Sequence, residues 1–236
     1  MKKANTKRRG SASGGPLERQ AKASLRAAAI TMARLERSGA RAVAAAAEAM
    51  IACLESGGTV FFCGNGGSAA DAEHLACELS GRYLLDRPAL AAIALTANTS
   101  ALTAIGNDFG FDRVFARQLE GLGTPGDVLV ALTTSGRSPN VLRAVEVARG
   151  LGMVVIGMTG PEGRRFAASC DHVLITPQQG TPRIQEGHIL LGHVACELVE
   201  RALFGARRPA RRRAGTRGSA RRPAPGRSTG GSRRPR

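Results

Sequence analysis

The chain has 236 residues, of which 43% are hydrophobic and only 3% aromatic, with no tryptophan. This length and composition predict one large domain with an aliphatic core. The formal net charge of +16 is typical of nucleic-acid-binding proteins, but it is unevenly distributed. Residues 1–16 and 206–236 carry 17 of the 34 basic residues and no acidic one, whereas residues 17–205 carry 17 basic and 18 acidic residues. The central part is therefore not expected to bind a polyanion through bulk charge.

The two terminal segments are rich in Gly, Pro, Ala, Ser and Arg, a composition that buries too little apolar surface to fold. We predict a disordered basic tail at 1–16, a folded domain at 17–205 and a disordered Arg-rich tail at 206–236. An Arg-rich tail can attach loosely to nucleic acid, and this alternative stays open. It is not favoured, because no aromatic residue lies between the arginines for base stacking.

The cysteines and the apolar runs indicate the cellular compartment. The cysteine number is odd, no C-x-x-C pair is present and all lie in apolar runs, so we expect buried free thiols in a reducing environment. No secretory-type apolar stretch follows the basic N-terminus, and no run reaches the roughly 18 residues that cross a membrane. We predict a cytoplasmic protein without membrane contact. The cysteines are Cys53, Cys63, Cys77, Cys170 and Cys196.

In chain order, the hydrophobic periodicity predicts helices alternating with short apolar strands. Residues 17–56 have helical spacing, with a break between two helices at Ser38-Gly39 and an end at Gly57-Gly58. Strands are predicted at 59–63, 90–95, 127–134, 153–159 and 172–176. Further helices are predicted from about Ser68, at 96–106, 111–123 and 139–150, and from about Ile184 to Leu203.

Near-continuous apolar strands alternating with amphipathic helices indicate a parallel sheet that is covered on both faces. We predict an α/β fold: a three-layer α/β/α sandwich around a five-stranded parallel sheet of flavodoxin-like type, with additional N-terminal helices. Ligands of such sheets bind at the carboxyl ends of the strands. The loops of interest are therefore "CGNGGS" (63–68), "TTSGRS" (133–138) and the segment around "GNDFG" (106–110).

The first two loops suit a phosphorylated ligand. In the first, Gly64, Gly66 and Gly67 permit close backbone approach, and the N–H groups that open the next helix favour an anion. The second supplies four hydroxyls, of which Ser138 also suits the N-cap position before Pro139. Neither loop is a dinucleotide fingerprint or a P-loop, since the required glycine and Gly-Lys-Ser/Thr residues are missing. Two such loops at neighbouring strand ends predict a phosphate site.

Titratable residues are concentrated on two predicted helices. His74 and Glu78 are one turn apart on the same face, which fits a catalytic or metal-binding pair but also a polar pair on a solvated surface. The last helix, within "TPRIQEGHILLGHVACELVE" (181–200), adds Gln185, Glu186, His188 and His193. Several histidines and carboxylates without partners in the sequence indicate a shared site.

Four stretches carry a family resemblance: "GNGGSAADAEHLACELSGRY", "LTANTSALTAIGNDFGFDRVFARQ", "TTSGRSPNV" and "TPRIQEGHILLGHVACELVE". In order and spacing they resemble the phosphoheptose isomerase family of sugar isomerase (SIS) domain enzymes, over about residues 20–204. The resemblance implies an SIS isomerase domain at 17–205, a homotetramer with active sites shared between subunits, and one zinc ion per subunit. The implied reaction converts sedoheptulose 7-phosphate to D-glycero-D-manno-heptose 7-phosphate, the first step towards nucleotide-activated heptoses.

The resemblance also implies roles for individual residues. Glu78 matches the catalytic base of the family and His193 its catalytic acid. The zinc positions fall on His74, Glu78, Gln185 and His193. The substrate positions fall on Asn65, Gly66, Gly67, Ser68, Glu78, Arg82, Asn107, Asp108, Thr133, Thr134, Ser135, Ser138 and Gln185. Thr133 departs from the many members that carry serine there, but it keeps the hydroxyl.

Some alternatives stay open at this point. Gln185 and His193 are roughly 12 Å apart along a continuous helix, so either Gln185 precedes the helix or the two residues serve the sites of different subunits. A zinc ion would either polarise the substrate carbonyl or hold the site together. The main alternative function is a non-catalytic SIS regulator that binds a sugar phosphate or a replication-initiation protein. An SIS-type enzyme acting on another sugar phosphate is a third reading.

Overall fold

The computed structural model describes residues 15–205. The predicted basic tails at 1–16 and 206–236 lie outside the described residues, apart from Gly15 and Pro16. Within the described range, no helix combines the length and apolar character that a membrane span needs.

The elements follow the predicted order, apart from a short helix at Arg164–Ala167 that the sequence did not predict. The helices of the described part are α1 (Pro16–Glu55), α2 (Gly67–Ser80), α3 (Thr99–Phe109), α4 (Ala116–Leu122), α5 (Pro139–Gly150), α6 (Arg164–Ala167) and α7 (Thr181–Phe204), with a 3-10 turn at Phe111–Arg113. The strands are β1 (Val60–Cys63), β2 (Ala92–Ala94), β3 (Val128–Thr133), β4 (Val154–Thr159) and β5 (His172–Ile175). The strand order is β2-β1-β3-β4-β5, and every neighbouring pair is parallel. The predicted five-stranded parallel sheet is therefore confirmed.

Side chains of successive strand residues enter separate cores on the two faces of the sheet. Phe62 packs in the cluster that contains residues of α1, α2 and α7, whereas its neighbour Phe61 packs in the cluster formed with α4, α5 and α6. The same alternation holds along β3, where Val130 faces the first cluster and Leu129 the second. These two cores confirm the three-layer sandwich.

The predicted break at Ser38-Gly39 is wrong, because α1 is one continuous helix of 40 residues. Gly39 is buried where α1 packs on α7, and a Cβ atom there would lie 3.1 Å from Leu191 Cδ2. A glycine inside a helix costs about 1 kcal/mol relative to alanine. Here close packing against α7 offsets that cost, so the helix continues.

The prediction of five buried cysteines is wrong at Cys77, which is exposed, and Cys170 is only partly buried. All five are free thiols, as expected. The buried face of α2 consists of Ser68, Ala72, Leu75, Ala76 and Leu79, at helical spacings of three and four. Cys77 falls between these positions and therefore points away from the core.

Candidate active site

The carboxyl ends of β1 and β3 lie side by side, because these two strands are neighbours in the sheet. Each strand runs directly into one of the two loops predicted to bind phosphate. The helix α2, which leaves the first loop, packs against α7. This packing brings the titratable residues of two distant parts of the chain to one place.

His74, Glu78 and His193 form the centre of the candidate site. The Nε2 atoms of His74 and His193 are 2.9 Å apart, and His74 Nε2 is 3.2 Å from Glu78 Oε1. Donor atoms of all three residues lie within 4.8 Å of one another. The i, i+4 spacing on α2 brings the first pair together, and the packing of α7 on α2 adds the third residue. Among residues 15–205, no other set of three or more histidine, cysteine, aspartate or glutamate side chains brings its donor atoms this close together.

The environment of His193 favours the neutral imidazole. Burial lowers the pKa of His193, and the neighbouring His74 lowers it further, while Glu78 acts in the opposite direction. The ring of Tyr83 covers His193 on one side, with ring centroids 5.7 Å apart. The Glu78 side chain is 19% exposed and that of His74 is 48% exposed, so the cluster is accessible to a ligand.

The first loop makes a tight turn into α2. Gly66 occupies the N-cap position with φ of 56°, a conformation that glycine adopts without strain. Asn65 pairs reciprocally with Asn140 of α5: each amide donates to the other's oxygen at 2.8 Å. Ser68 is buried, at 3% exposure. The loop of β1 is thus fixed to the helix that follows the second loop.

The second loop folds over its own hydroxyl groups. Thr133 Oγ1 accepts a hydrogen bond from the Gly136 N–H at 3.2 Å and contacts Ser138 Oγ at 3.1 Å. Ser135 Oγ accepts from the Arg137 N–H at 3.2 Å. Ser138 occupies the N-cap position of α5 as predicted, but its side chain makes no capping hydrogen bond because it turns towards Thr133. Three of the four hydroxyls of this loop are therefore held by contacts within the turn itself.

Gln185 lies inside α7, which begins at Thr181, so the alternative in which Gln185 precedes the helix is wrong. Its side chain packs against Gly67, where an added Cβ would overlap the amide group. Gln185 therefore lies beside the first loop of its own subunit, and His193 is two turns further along the same helix. The remaining alternative, in which the two residues serve sites of different subunits, stays a prediction.

Three predicted substrate residues lie outside the two loops and outside the histidine cluster. Asn107 and Asp108 occupy the last turn of α3 rather than a loop, are exposed, and hydrogen-bond to each other at 2.8 Å. Arg82 is exposed just beyond the end of α2. No hydrogen bond or ion pair within residues 15–205 joins these side chains to His74, Glu78 or His193. Thr134 is partly buried in the second loop.

Comparison with known proteins decides the family. The profile of the SIS domain family matches residues 25–160. A phosphoheptose isomerase of Rhodospirillum rubrum is 58% identical over 164 residues, which are 70% of this chain and 87% of that protein. The chain belongs to the phosphoheptose isomerase family of SIS-domain proteins. The resemblance drawn from the four sequence stretches is confirmed.

Solved structures agree with this family. The phosphoheptose isomerase of Neisseria gonorrhoeae is 45% identical and superposes with a TM-score of 0.74, covering 78% of this chain and 98% of that chain. The enzyme from Francisella tularensis is 38% identical with a TM-score of 0.72, covering 80% and 100%. Both match the SIS-type sandwich nearly from end to end, so the fold described above is that of the whole family domain.

Sequence reasoning missed three buried side chains that link elements around the site. Asn140 anchors the first loop, while Arg87 and Glu200 form a buried ion pair beside the end of α2. Glu200 had a visible signal, since it lies seven residues after His193 and therefore on the same helix face. Arg87 and Asn140 had none, because their partners are distant in sequence.

Proposed function

We propose that this chain isomerises sedoheptulose 7-phosphate to D-glycero-D-manno-heptose 7-phosphate, the first step towards nucleotide-activated heptoses. The observation that carries the proposal is the meeting of Glu78 with His74 and His193, on the helix that leaves the first of two loops suited to phosphate. It occurs in a chain that belongs to the phosphoheptose isomerase family. The chemical class is that of an aldose–ketose isomerase.

Glu78 is the proposed base. Isomerisation moves a proton between carbons 1 and 2 through a cis-enediol. The Glu78 carboxylate removes a proton from carbon 1 of the ketose and returns it to carbon 2 of the enediol. A carboxylate suits both halves of this transfer, because it accepts the proton and then gives it back at the neighbouring carbon.

His193 is the proposed acid that serves the oxygens. It gives a proton to the carbonyl oxygen on carbon 2 as the enediol forms, and it takes the proton from the hydroxyl on carbon 1 as the aldehyde forms. The lowered pKa of His193 helps the second half, since the neutral ring is the form that accepts. Tyr83, which packs against this ring, limits its rotation.

The two loops are proposed to bind the phosphate and the sugar hydroxyls. Backbone N–H groups at the start of α2 and the hydroxyls of Thr133, Thr134, Ser135 and Ser138 are suitable partners for an anion. Arg82, Asn107 and Asp108, which form no hydrogen bond or ion pair with the cluster in one subunit, are proposed to reach the substrate in the assembled enzyme.

The donor set of His74, Glu78 and His193 fits a zinc ion. Two imidazole nitrogens and one carboxylate oxygen are a combination that zinc uses in catalytic sites, and their donor atoms already converge within 4.8 Å. We propose that these residues hold one zinc ion per subunit, with Gln185 of a second subunit as a further ligand. Bound there, zinc would supply a Lewis acid that polarises a carbonyl.

A homotetramer is proposed for the assembly. The helix α3 contributes no buried residue within its own subunit, and the nearby Phe109 and Phe111 are 56% and 65% exposed. On α1, Leu17 and Leu25 are 80% and 70% exposed. Large apolar side chains exposed in this number are typical of surfaces that other subunits cover.

We also propose a cytoplasmic location, which suits a sugar-phosphate enzyme whose cysteines are free thiols.

The decisive experiment follows the migrating proton. Purified protein is incubated with sedoheptulose 7-phosphate in deuterium oxide, and NMR measures product formation and deuterium at carbon 2 of the aldose. Wild type is expected to form product with deuterium there. Glu78→Gln keeps the side-chain shape but loses the base, so both signals should fall together while substrate binding survives. If wild type in its assembled form gives no product, the alternative function, a non-catalytic SIS regulator, would be favoured instead.

A further inference from the structure

Glu200 is a buried carboxylate to which the reaction assigns no role. It lies on α7 two turns after His193, and its side chain is 1% exposed. Its two oxygens accept hydrogen bonds from the backbone N–H groups of Tyr83, Leu84 and Leu85 at 3.0, 2.7 and 2.8 Å. Burial alone would raise the pKa of Glu200, but these donors outweigh it, so the pKa lies below its ordinary value. Glu200 is therefore an ionised anchor point for the segment after α2.

Arg87 completes the connection from Glu200 to α2. Its side chain is 1% exposed, and its Nε donates to Glu200 Oε1 at 2.8 Å. Its Nη2 donates to the carbonyl oxygen of Glu78 at 2.8 Å, and its Nη1 donates to that of Leu79 at 2.9 Å. A guanidinium at this place satisfies carbonyls that the end of a helix leaves without partners. The backbone of Glu78, the proposed base, is thus tied to α7.

The segment fixed in this way belongs to the active site. Residues 81–91 form neither helix nor strand, yet they carry Arg82 and Tyr83. Tyr83 packs against His193, and its own N–H is one of the three that Glu200 accepts. One carboxylate therefore controls both the loop that covers His193 and, through Arg87, the end of the helix that carries Glu78.

We propose that Glu200 and Arg87 are positioning residues, which fix the spacing of Glu78 and His193 by locking the end of α2 and the Tyr83 segment onto α7. We call the two side chains and the three N–H groups they hold the Glu200–Arg87 clamp. Its catalytic consequence rests on the proposed function, whereas its effect on the geometry of His193 does not.

The chemistry of the clamp favours this role over simple stabilisation. A buried ion pair is often no better for stability than apolar side chains of similar volume. What it adds is direction, since a planar guanidinium and a carboxylate bind only in defined orientations. A site that transfers a proton between adjacent carbons needs such definition, because a displacement of about 1 Å costs about 10²-fold in rate.

The test compares two buried carboxylates. Asp127 is 3% exposed and accepts hydrogen bonds from the N–H groups of Thr59 and Thr124, both at 2.8 Å. It precedes β3 and so lies at the amino-terminal ends of the strands, whereas the two loops follow the carboxyl ends. Glu200→Gln and Asp127→Asn make the same chemical change, and both are expected to lower stability. Only Glu200→Gln is expected to lower kcat, by about 10²-fold per folded enzyme, with little change in KM. Equal kcat losses in the two variants would overturn the proposal.

A second measurement needs neither turnover nor substrate. The NMR signal of the His193 ring, assigned by its loss in His193→Gln, reports the contact with Tyr83. The signal is expected to move in Glu200→Gln and in Arg87→Lys, and to stay in place in Asp127→Asn. Arg87→Lys keeps the positive charge but loses the planar guanidinium that donates to several oxygens. Arg87→Lys also serves if Glu200→Gln does not fold. A His193 signal that is unchanged in both clamp variants refutes the clamp. If the wild-type protein has no isomerase activity but the His193 signal moves as expected in the variants, only the proposed function is refuted.

Discussion

His188→Gln is expected to make the protein more resistant to mild acid. His188 is buried within α7 at 0% exposure, and neither of its ring nitrogens forms a hydrogen bond of acceptable geometry. Thr159 and Thr176, the buried threonines at the ends of β4 and β5, likewise have unpartnered hydroxyls. Burial lowers the pKa of His188 from 6.5 to about 4, and the backbone of Thr159 opposes this only in part. Between these two values His188 is therefore neutral in the folded protein and becomes charged on unfolding.

The sign and size of the effect follow from proton linkage. Between the two pKa values the unfolded chain binds a proton that the folded chain refuses, so stability falls as the pH is lowered through this window. At about 1.4 kcal/mol per pH unit, the full loss is about 3 kcal/mol once the pH is below both values. Between about pH 7.5 and about pH 5, the loss attributable to this one histidine is about 2 kcal/mol.

The assay is urea unfolding of wild type and His188→Gln across that pH range, at one protein concentration because an oligomer's stability depends on it. The two proteins will also differ in unfolding free energy by an amount that does not depend on pH, and this amount is not informative. Only the change of the difference with pH tests the prediction. His172→Gln, the same substitution at the partly exposed start of β5, is the matched control for the change of residue type. Parallel pH profiles for wild type and His188→Gln would show that His188 is not a buried neutral group.

Four further outcomes are expected. Glu78→Gln should lower kcat by about 10²–10⁴-fold with little loss of substrate affinity, as measured by steady-state kinetics and calorimetry; restoration by excess zinc would instead assign Glu78 to metal binding alone. Gly67→Ala places a methyl group on the Gln185 amide and should lower kcat/KM by about 10²-fold with little change in melting temperature, since a flexible side chain can move aside. Chelation of metal should abolish activity, and added zinc should restore it in wild type but not in His74→Gln. Deletion of 206–236 should leave kcat intact while removing any salt-sensitive DNA binding, and a large loss of turnover at equal oligomer content would place the tail in the site.

Local patterns in the sequence determined the layers of the fold. Runs such as "DVLVALTT" predict buried parallel strands, because both faces of the strand need apolar side chains. The i, i+4 spacing placed His74 and Glu78 on one face of a helix, and the glycines and hydroxyls after β1 and β3 marked the binding edge of the sheet. These inferences depend only on neighbours in the chain, and so the sequence sufficed for them.

The tertiary structure decided what depends on contacts between distant residues. Gly39 continues its helix because Leu191 packs against it, and Cys77 is exposed because the helices around α2 cover a different face. The 2.9 Å approach of His193 to His74 and the reach of Glu200 to the backbone after α2 both depend on how α7 packs on α2. A hydrophobic pattern specifies which faces are buried but not which partner covers them, since burial of apolar surface is non-directional. The relative placement of two helices is therefore set by side-chain packing across the whole core, and with it the geometry of the site.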